Sequence, residues 1–255
     1  PFYAVLNNKP DAMKVWVKFK AGDGNKNPKA TISALLTNGN MVQDPEDDKY
    51  AANIIGRANN SSIESKDEWQ EITIPFTYDN KNEMPKAALV TMSTCAVPSG
   101  GSKSETNPDV LYVDDVEMVY NAGVKKVTMD GEDITGKFNE TGELEIEGYN
   151  KALDINNFQL EAIGAGAYVT KKITTDGFDT YVTFTVTSND LKNCVTRTIT
   201  LKNYTTGIKN VETLTLPNGV KAIYNTAGQQ VTDMQSGQVY IVKYTNGETK
   251  KMIKK

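Results

Sequence analysis

The sequence predicts an all-β protein built from small sandwiches. Short stretches alternate between apolar and polar residues, and clusters of Gly, Asn, Asp and Pro separate them at the spacing of a sandwich. The clearest alternation is Lys14–Lys20, in which Trp16 shares the polar face with lysines. Helical patterns are nearly missing, and only Pro45–Lys49 favours a turn of helix.

We expect three modules, because 255 residues exceed what one ordinary domain needs. The first covers residues 1–121, the second 122–204 and the third 205–255. The third module, of about fifty residues, is near the lower limit for an independent core. We therefore expect it to pack on the second module.

Six predicted strands carry the alternation in the first module. They are Lys14–Lys20, Ala30–Leu36, Ala51–Ala58, Trp69–Tyr78, Ala87–Ala96 and Val110–Tyr120. In the fourth, Ile72, Ile74 and Phe76 share one face, and Pro75 predicts a sheet edge or a bulge. The loop Val97–Asp109 is rich in Ser, Gly and Pro, so we expect it to be mobile and able to shape the mouth of a binding site.

The second module has short strands at the spacing of an immunoglobulin-like sandwich. Asp130 and Gly131 predict a tight turn after its first strand. The predicted strands of the second and third modules are Val124–Met129, Glu143–Glu147, Phe158–Ile163, Ala167–Ile173, Tyr181–Thr187, Val195–Leu201, Thr213–Leu216, Val220–Tyr224, Val239–Tyr244 and Thr249–Ile253.

The composition excludes several classes of function. Histidine is absent, which removes Ser-His-Asp and Cys-His catalysis and His-ligated zinc. A formal net charge of −4 gives no electrostatic reason to expect nucleic acid. Cys95 and Cys194 fall in different predicted modules, so we expect two free, buried thiols.

Three further features bear on location. No apolar run approaches the ~20 residues of a transmembrane helix. The chain begins at Pro1, without an initiator Met or a signal peptide. We interpret it as a trimmed or partly ordered fragment, from which any export signal has been removed.

The first module resembles a Bacteroidetes family called the "putative carbohydrate metabolism domain". The residues that carry the resemblance are Lys9-Pro10 before Val15–Phe19, then Trp69–Tyr78, Pro85–Val90 and Leu111–Tyr120. The resemblance implies a galactose-binding-like jelly roll, similar to carbohydrate-binding modules. The family's upstream strands have no counterpart here, so one edge of the roll is expected to be open.

The other two modules also resemble exported proteins of the same bacteria. Val127–Gly131 and Val186–Asp190 are similar to immunoglobulin-like modules that accompany glycan-degrading proteins. The third module resembles the C-terminal sorting domain of type IX secretion, through Val220–Val231, Gly237–Lys243 and Asn246–Lys254. The resemblance implies a sorting or anchoring role.

Trp16 is the leading candidate for a ligand contact. A large aromatic residue on the polar face of a sheet is either covered by a loop or another module, or available to stack on a sugar ring. Tyr50, Asn53 and Arg57 fall on or near one predicted strand, where amide and guanidinium groups can donate to hydroxyls or simply face solvent. We expect Trp69, by contrast, to belong to the core.

Calcium is a second candidate ligand, since jelly-roll modules often hold a structural ion. The available carboxylates include Asp23, Asp114 and Asp115, with Glu117 and the acidic run Glu46–Asp48. None reproduces the spacing of a defined calcium loop. The alternative is that Asp114 or Asp115 hydrogen-bonds the backbone in a bulge and that the acidic run is solvated.

The sequence favours a non-catalytic, exported protein that binds a polysaccharide or oligosaccharide. Asp114 and Asp115 are adjacent on a strand and should point to opposite faces unless the strand is bulged, which does not suit the paired carboxylates of a glycosidase. Two alternatives stay open. One is a structural or adhesion protein whose partners are other cell-surface proteins, and the other is a glycoside hydrolase or a fragment of one.

Overall fold

The computed structural model of the chain describes residues 4–6, 8–43, 46–79, 82–205 and 210–255. It confirms the all-β prediction, since these ranges hold nineteen strands and three short 3-10 helices. Within them, no helix is long and apolar enough to cross a membrane. The chain divides into two compact units, residues 1–119 and 120–255. The three-module division stays a prediction.

The first unit is a sandwich of two antiparallel sheets. Its strands are β1 (Ala4–Val5), β2 (Ala12–Lys20), β3 (Lys29–Thr37), β4 (Ile54–Glu64), β5 (Gln70–Pro75), β6 (Thr77–Tyr78), β7 (Ala87–Ser93) and β8 (Val110–Val119). The five-stranded sheet has the order β1-β7-β3-β4-β6, and the three-stranded sheet has the order β5-β2-β8. The chain passes between the sheets repeatedly, as in a jelly roll.

Strand β2 supplies the apolar side of the three-stranded sheet. Met13, Val15, Val17 and Phe19 are fully buried and contact a cluster that includes Ile32 of β3. Burial of each such side chain stabilises the fold by roughly 1.5–3 kcal/mol. Because side chains alternate along a strand, this burial places the intervening residues on the outer face.

Two predicted strands of this unit need correction. Asp48–Asn53 is a 3-10 helix, capped by the Asp47 side chain, so β4 begins at Ile54 rather than three residues earlier. The helical turn was expected slightly earlier, and Pro45 lies outside the described residues. The predicted strand Trp69–Tyr78 is interrupted at Phe76, and β5 and β6 belong to different sheets. Pro75 lies on an edge strand, as predicted.

The second unit contains three sheets. Its strands are β9 (Gly123–Met129), β10 (Glu132–Asp133), β11 (Glu143–Ile146), β12 (Phe158–Ile163), β13 (Tyr168–Asp176), β14 (Asp179–Thr187), β15 (Cys194–Leu201), β16 (Asn210–Thr215), β17 (Val220–Asn225), β18 (Val239–Tyr244) and β19 (Thr249–Ile253). Two 3-10 helices, Thr135–Lys137 and Ile155–Asn157, complete it. The sheet orders are β10-β9-β12, β11-β15-β14-β13-β16 and β17-β18-β19.

The first two of these sheets enclose one core, centred on Phe158 and Phe184. Asp130 and Gly131 both have positive φ and connect β9 to β10, as the predicted tight turn requires. Strand β16 pairs with β13, so the first strand of the predicted third module extends the sheet of the second. The N–H of Lys255 also donates to the Leu191 carbonyl. Cys95 and Cys194 are free, as predicted, but their predicted burial is wrong, since Cys95 is half-buried and Cys194 is exposed.

The Asp109 carboxylate joins two loops of the first unit. It accepts hydrogen bonds from the Gly22 N–H at 2.7 Å, the Asn25 amide at 2.8 Å and the Ser102 N–H at 2.7 Å. Burial raises the pKa of Asp109, but the three hydrogen bonds together outweigh it and lower the pKa overall. A Cβ at Gly22 would lie 2.2 Å from the Asn107 carbonyl oxygen, so only glycine fits there. The loop expected to be mobile is therefore anchored at its end.

Asp109→Asn is expected to lower the free energy of unfolding by about 1–2 kcal/mol at about pH 7, because an amide cannot accept all three bonds and the site is partly exposed to solvent. The folded-state pKa lies below the unfolded value of about 3.9, so this stabilisation is present above that value and is lost as pH falls through the folded pKa.

Urea unfolding of the wild type and the variant at several pH values measures this difference. The difference in free energy of unfolding should be full at about pH 7 and should narrow as the pH falls below the unfolded pKa of about 3.9. Asp67→Asn, at an exposed position of the same unit, serves as the control. A gap that is independent of pH would contradict the assigned role of the Asp109 charge.

Candidate functional site

Trp16 lies at the centre of the outer face of the three-stranded sheet. It is half-buried, in the middle of β2, and is flanked in register by Glu71 of β5 and Asp114 of β8. Since β2 is the central strand, both neighbours are close to the indole. The predicted polar environment of Trp16 is therefore present.

Two further aromatic residues share this face. Trp69 is 46% exposed, so its predicted core position is wrong. The physical reason is the alternation of β5: Ile72 and Ile74 point to the core, which turns the odd-numbered residues outward. Tyr112 is also exposed and faces Lys18 of β2, while its neighbours on β8 contact the core. The same alternation in the sequence would have identified both residues.

A bulge in β8 brings two carboxylates to this face. Lys14 pairs with Glu117 and Trp16 pairs with Asp114, so two steps along β2 match three along β8. Asp115 has a φ of 49°, and its N–H donates to Asp114 Oδ1 at 2.9 Å. Both carboxylates are exposed. The strict alternation that would have separated them is broken, and the predicted alternative of a backbone hydrogen bond in a bulge is confirmed.

These residues line two cavities that share Trp16 and Asp115. One, of about 320 Å³, is lined by Trp16, Trp69, Asp114 and Asp115. The other, of about 380 Å³, is lined by Lys14, Trp16, Asp115, Val116 and Glu117. We call the two together the tryptophan groove. The groove offers flat apolar surface beside hydrogen-bond acceptors.

The charge of Lys14 is compensated within the sheet. Its Nζ lies 2.5 Å from Glu117 Oε1 and 3.8 Å from Glu71 Oε2. The hydrogen bond to Glu117, followed by the negative charges of Glu117 and Glu71, raises the pKa of Lys14. The ammonium is therefore held in its protonated form beside two carboxylates, while Asp114 and Asp115 face the groove.

Arg57 lies on the other sheet, outside the tryptophan groove. It lines a cavity of about 810 Å³ on the outer face of the five-stranded sheet, beside Ser33 and Thr91. The guanidinium donates to both carboxylate oxygens of Glu46 at 2.5 and 2.6 Å, and it contacts Asp79. These ion pairs occupy the fork-shaped donor set that a ligand hydroxyl would need.

Tyr50 and Asn53, the other predicted sugar contacts, line neither the tryptophan groove nor the cavity beside Arg57. The Asn53 side-chain amide donates to the Met41 carbonyl at 2.8 Å, so this donor is already used within the protein. Tyr50 is half-buried in that helix, with the Lys49 ammonium 5.3 Å from its ring centre. A ligand role for Tyr50, Asn53 and Arg57 stays a prediction.

The three predicted metal ligands do not form one ligand group. In the described part of the chain, no three His, Cys, Asp or Glu side chains converge as a metal site would require. Asp23 Oδ1 instead accepts from the Asn107 amide at 2.8 Å, within the loops that Asp109 joins. Asp114 and Asp115 lie midway along β8. The present arrangement does not fit calcium, which takes six to eight oxygen ligands.

Comparison with known proteins assigns the chain to no family. No protein-family model matches the chain, and no curated protein matches it. A solved structure from Bacteroides thetaiotaomicron VPI-5482, named a "putative glycoside hydrolase", is 21% identical over the matched part, with a TM-score of 0.35. The match spans 47% of this chain and 40% of that one. A likeness of this size establishes neither fold nor function.

The bulge allows the effect of substitutions at Asp115 on stability to be predicted. Because its φ is positive, Asp115→Gly is expected to leave stability unchanged or to raise it by up to about 1 kcal/mol. Asp115→Val should lower the free energy of unfolding by about 1–3 kcal/mol, since β-branched residues avoid this conformation.

Urea unfolding checks both variants, with Asp114→Val as the control, because Asp114 is a strand residue without positive φ. Equal stability of Asp115→Val and Asp114→Val would show that the bulge is not strained at Asp115.

Proposed function

We propose that the first unit binds carbohydrate at the tryptophan groove without cutting it. The observation that carries this proposal is the cavity in which two indoles, from β2 and from the residue before β5, meet two carboxylates. Sugar rings have apolar C–H faces that stack on indole, and they carry hydroxyls that donate to carboxylates. The groove supplies both kinds of contact side by side.

The exposure of the indoles favours sugar binding over a purely structural role. A scaffold would use Trp16 and Trp69 as packing surface, and then both would be covered. Trp69 is instead 46% exposed, and Trp16 lines an open cavity. Rigid aromatic side chains bind ligands with little loss of conformational entropy, because only two torsions must be fixed.

The placement of the carboxylates disfavours hydrolysis. A glycosidase needs one acid on each side of the scissile bond, at separations of about 5–10 Å. Asp114 and Asp115 are neighbours on one strand, and the Asp115 N–H donates to the Asp114 carboxylate. They support hydrogen bonding to a sugar better than they support an acid and a nucleophile on opposite sides of it.

We also propose that the chain is exported to the cell surface or secreted, and that its last segment is a sorting module. The support is the sequence pattern, whose residues form β17, β18 and β19. Under this proposal the first unit captures glycan for its cell, and the immunoglobulin-like sandwich is a spacer. Fusion of residues 205–255 to a reporter protein in a type IX-secreting bacterium, scored by surface labelling, tests the sorting role.

Trp16→Ala and Trp69→Ala are each expected to weaken glycan binding at least about tenfold, which corresponds to about 1.4 kcal/mol of lost stacking. A glycan array identifies binding carbohydrates, and affinity electrophoresis with those glycans measures the loss. Phe178→Ala, at an exposed aromatic of the second unit, is the matched control and should bind as the wild type does.

Absence of binding by the wild type, or full binding by both tryptophan variants, would overturn the proposed site. A reducing-sugar assay on the same glycans separates binding from catalysis. Release of new reducing ends that is lost in Asp114→Asn would favour the hydrolase instead.

A further inference from the structure

We propose that the glycan bound in the tryptophan groove carries free, protonated amines, as glucosamine units do. This inference rests on the proposed function, because it names the class of sugar for the same site. It follows from two carboxylates that line the groove, Asp114 and Asp115, and from the lack of an ion pair to either of them in the described residues.

Asp114 and Asp115 form no ion pair in the described part of the chain, although the negative charge of Asp115 contributes to the raised pKa of Lys14. The ion pairs there assign the Lys14 ammonium to Glu117 and Glu71. Asp114 receives only the Asp115 N–H, which leaves acceptor positions on both carboxylates. The smaller cavity thus contains two carboxylates and no cation.

A protonated amine matches this lining better than a neutral or an acidic group does. An ammonium forms charge-assisted hydrogen bonds with carboxylates, which are roughly twice as strong as neutral ones. The indole faces of Trp16 and Trp69 add cation–π attraction of about 0.5–2 kcal/mol. Both kinds of partner line one cavity of about 320 Å³, a volume suited to single sugar rings.

The same charges disfavour other glycans. A uronate or a sulfate would meet Asp114 and Asp115 with like charge, which costs binding energy at short range. An N-acetylated sugar can stack on the indoles but loses the ion pair. The expected order of affinity is therefore glucosamine, then N-acetylglucosamine, then galacturonate oligomers of equal length.

Isothermal titration of the full chain with trimers of these three sugars tests the proposal, at a pH at which the glucosamine amine is protonated. We expect the glucosamine trimer to bind at least about tenfold more tightly than the N-acetylglucosamine trimer. The galacturonate trimer should not bind. Asp114→Asn and Asp115→Asn should each remove most of the preference while keeping the weaker binding of the N-acetylated trimer.

Glu105→Gln, an exposed substitution in the loop before β8, controls for general attraction between an acidic chain and a cationic sugar. A preference that survives in both aspartate variants, or that is equally lost in Glu105→Gln, would overturn the assignment to the groove. Equal or tighter binding of the N-acetylated trimer would overturn the amine inference and leave carbohydrate binding intact. Failure of every trimer and of the glycan array to bind would overturn both.

Discussion

The alternation of β2 is the constraint on which the first unit depends. Its core-facing residues, from Met13 to Phe19, are fully buried, and a shift of register by one residue would exchange them with lysines. The free-energy cost of burying those lysines keeps β2 in its register and Trp16 on the outer face. Because β2 lies between β5 and β8, the position of Trp16 also fixes which residues of the neighbouring strands can reach it.

The bulge in β8 turns this fixed position into a candidate site. A regular strand would place only one of Asp114 and Asp115 beside Trp16. The extra residue puts both carboxylates on the outer face, at the cost of a positive φ at Asp115. Bulges of this kind often re-aim side chains near functional sites and also protect sheet edges from pairing. Strand β8 is an edge strand, so the protective role applies here, and the first role depends on the proposed function.

Alternation predicted most strands and the central placement of Trp16, because periodicity of two depends only on which residues are apolar. It failed where local backbone chemistry decided the structure. The Asp47 cap converts the start of a predicted strand into a 3-10 helix. The sequence leaves a bulge at Asp114 or Asp115 open as an alternative. The core-facing residues of β8 change from Leu111 and Val113 to Met118, and this shift of one in the alternation marks the bulge. Trp69 differs for another reason: its size and apolar character favour the core, whereas the alternation of β5 places it on the outer face.

The pairing of side chains between separate strands and loops was also beyond the sequence. Arg57 looked like a free donor, whereas the fold places Glu46 and Asp79 beside it. Asp109 looked like part of a mobile loop, whereas it accepts three hydrogen bonds that join two loops. Such contacts join residues that are separated in the chain, so they cannot be predicted until the fold is known.

The two tryptophans make a direct measurement possible, since the chain has only these two and their indole N–H signals can be followed by NMR of nitrogen-15-labelled protein. Titration with glucosamine and N-acetylglucosamine trimers should shift both indole signals, with one saturable dependence on sugar concentration for each trimer. Sugar binding that leaves both indole signals unmoved would contradict the central claim that Trp16 and Trp69 form the binding surface.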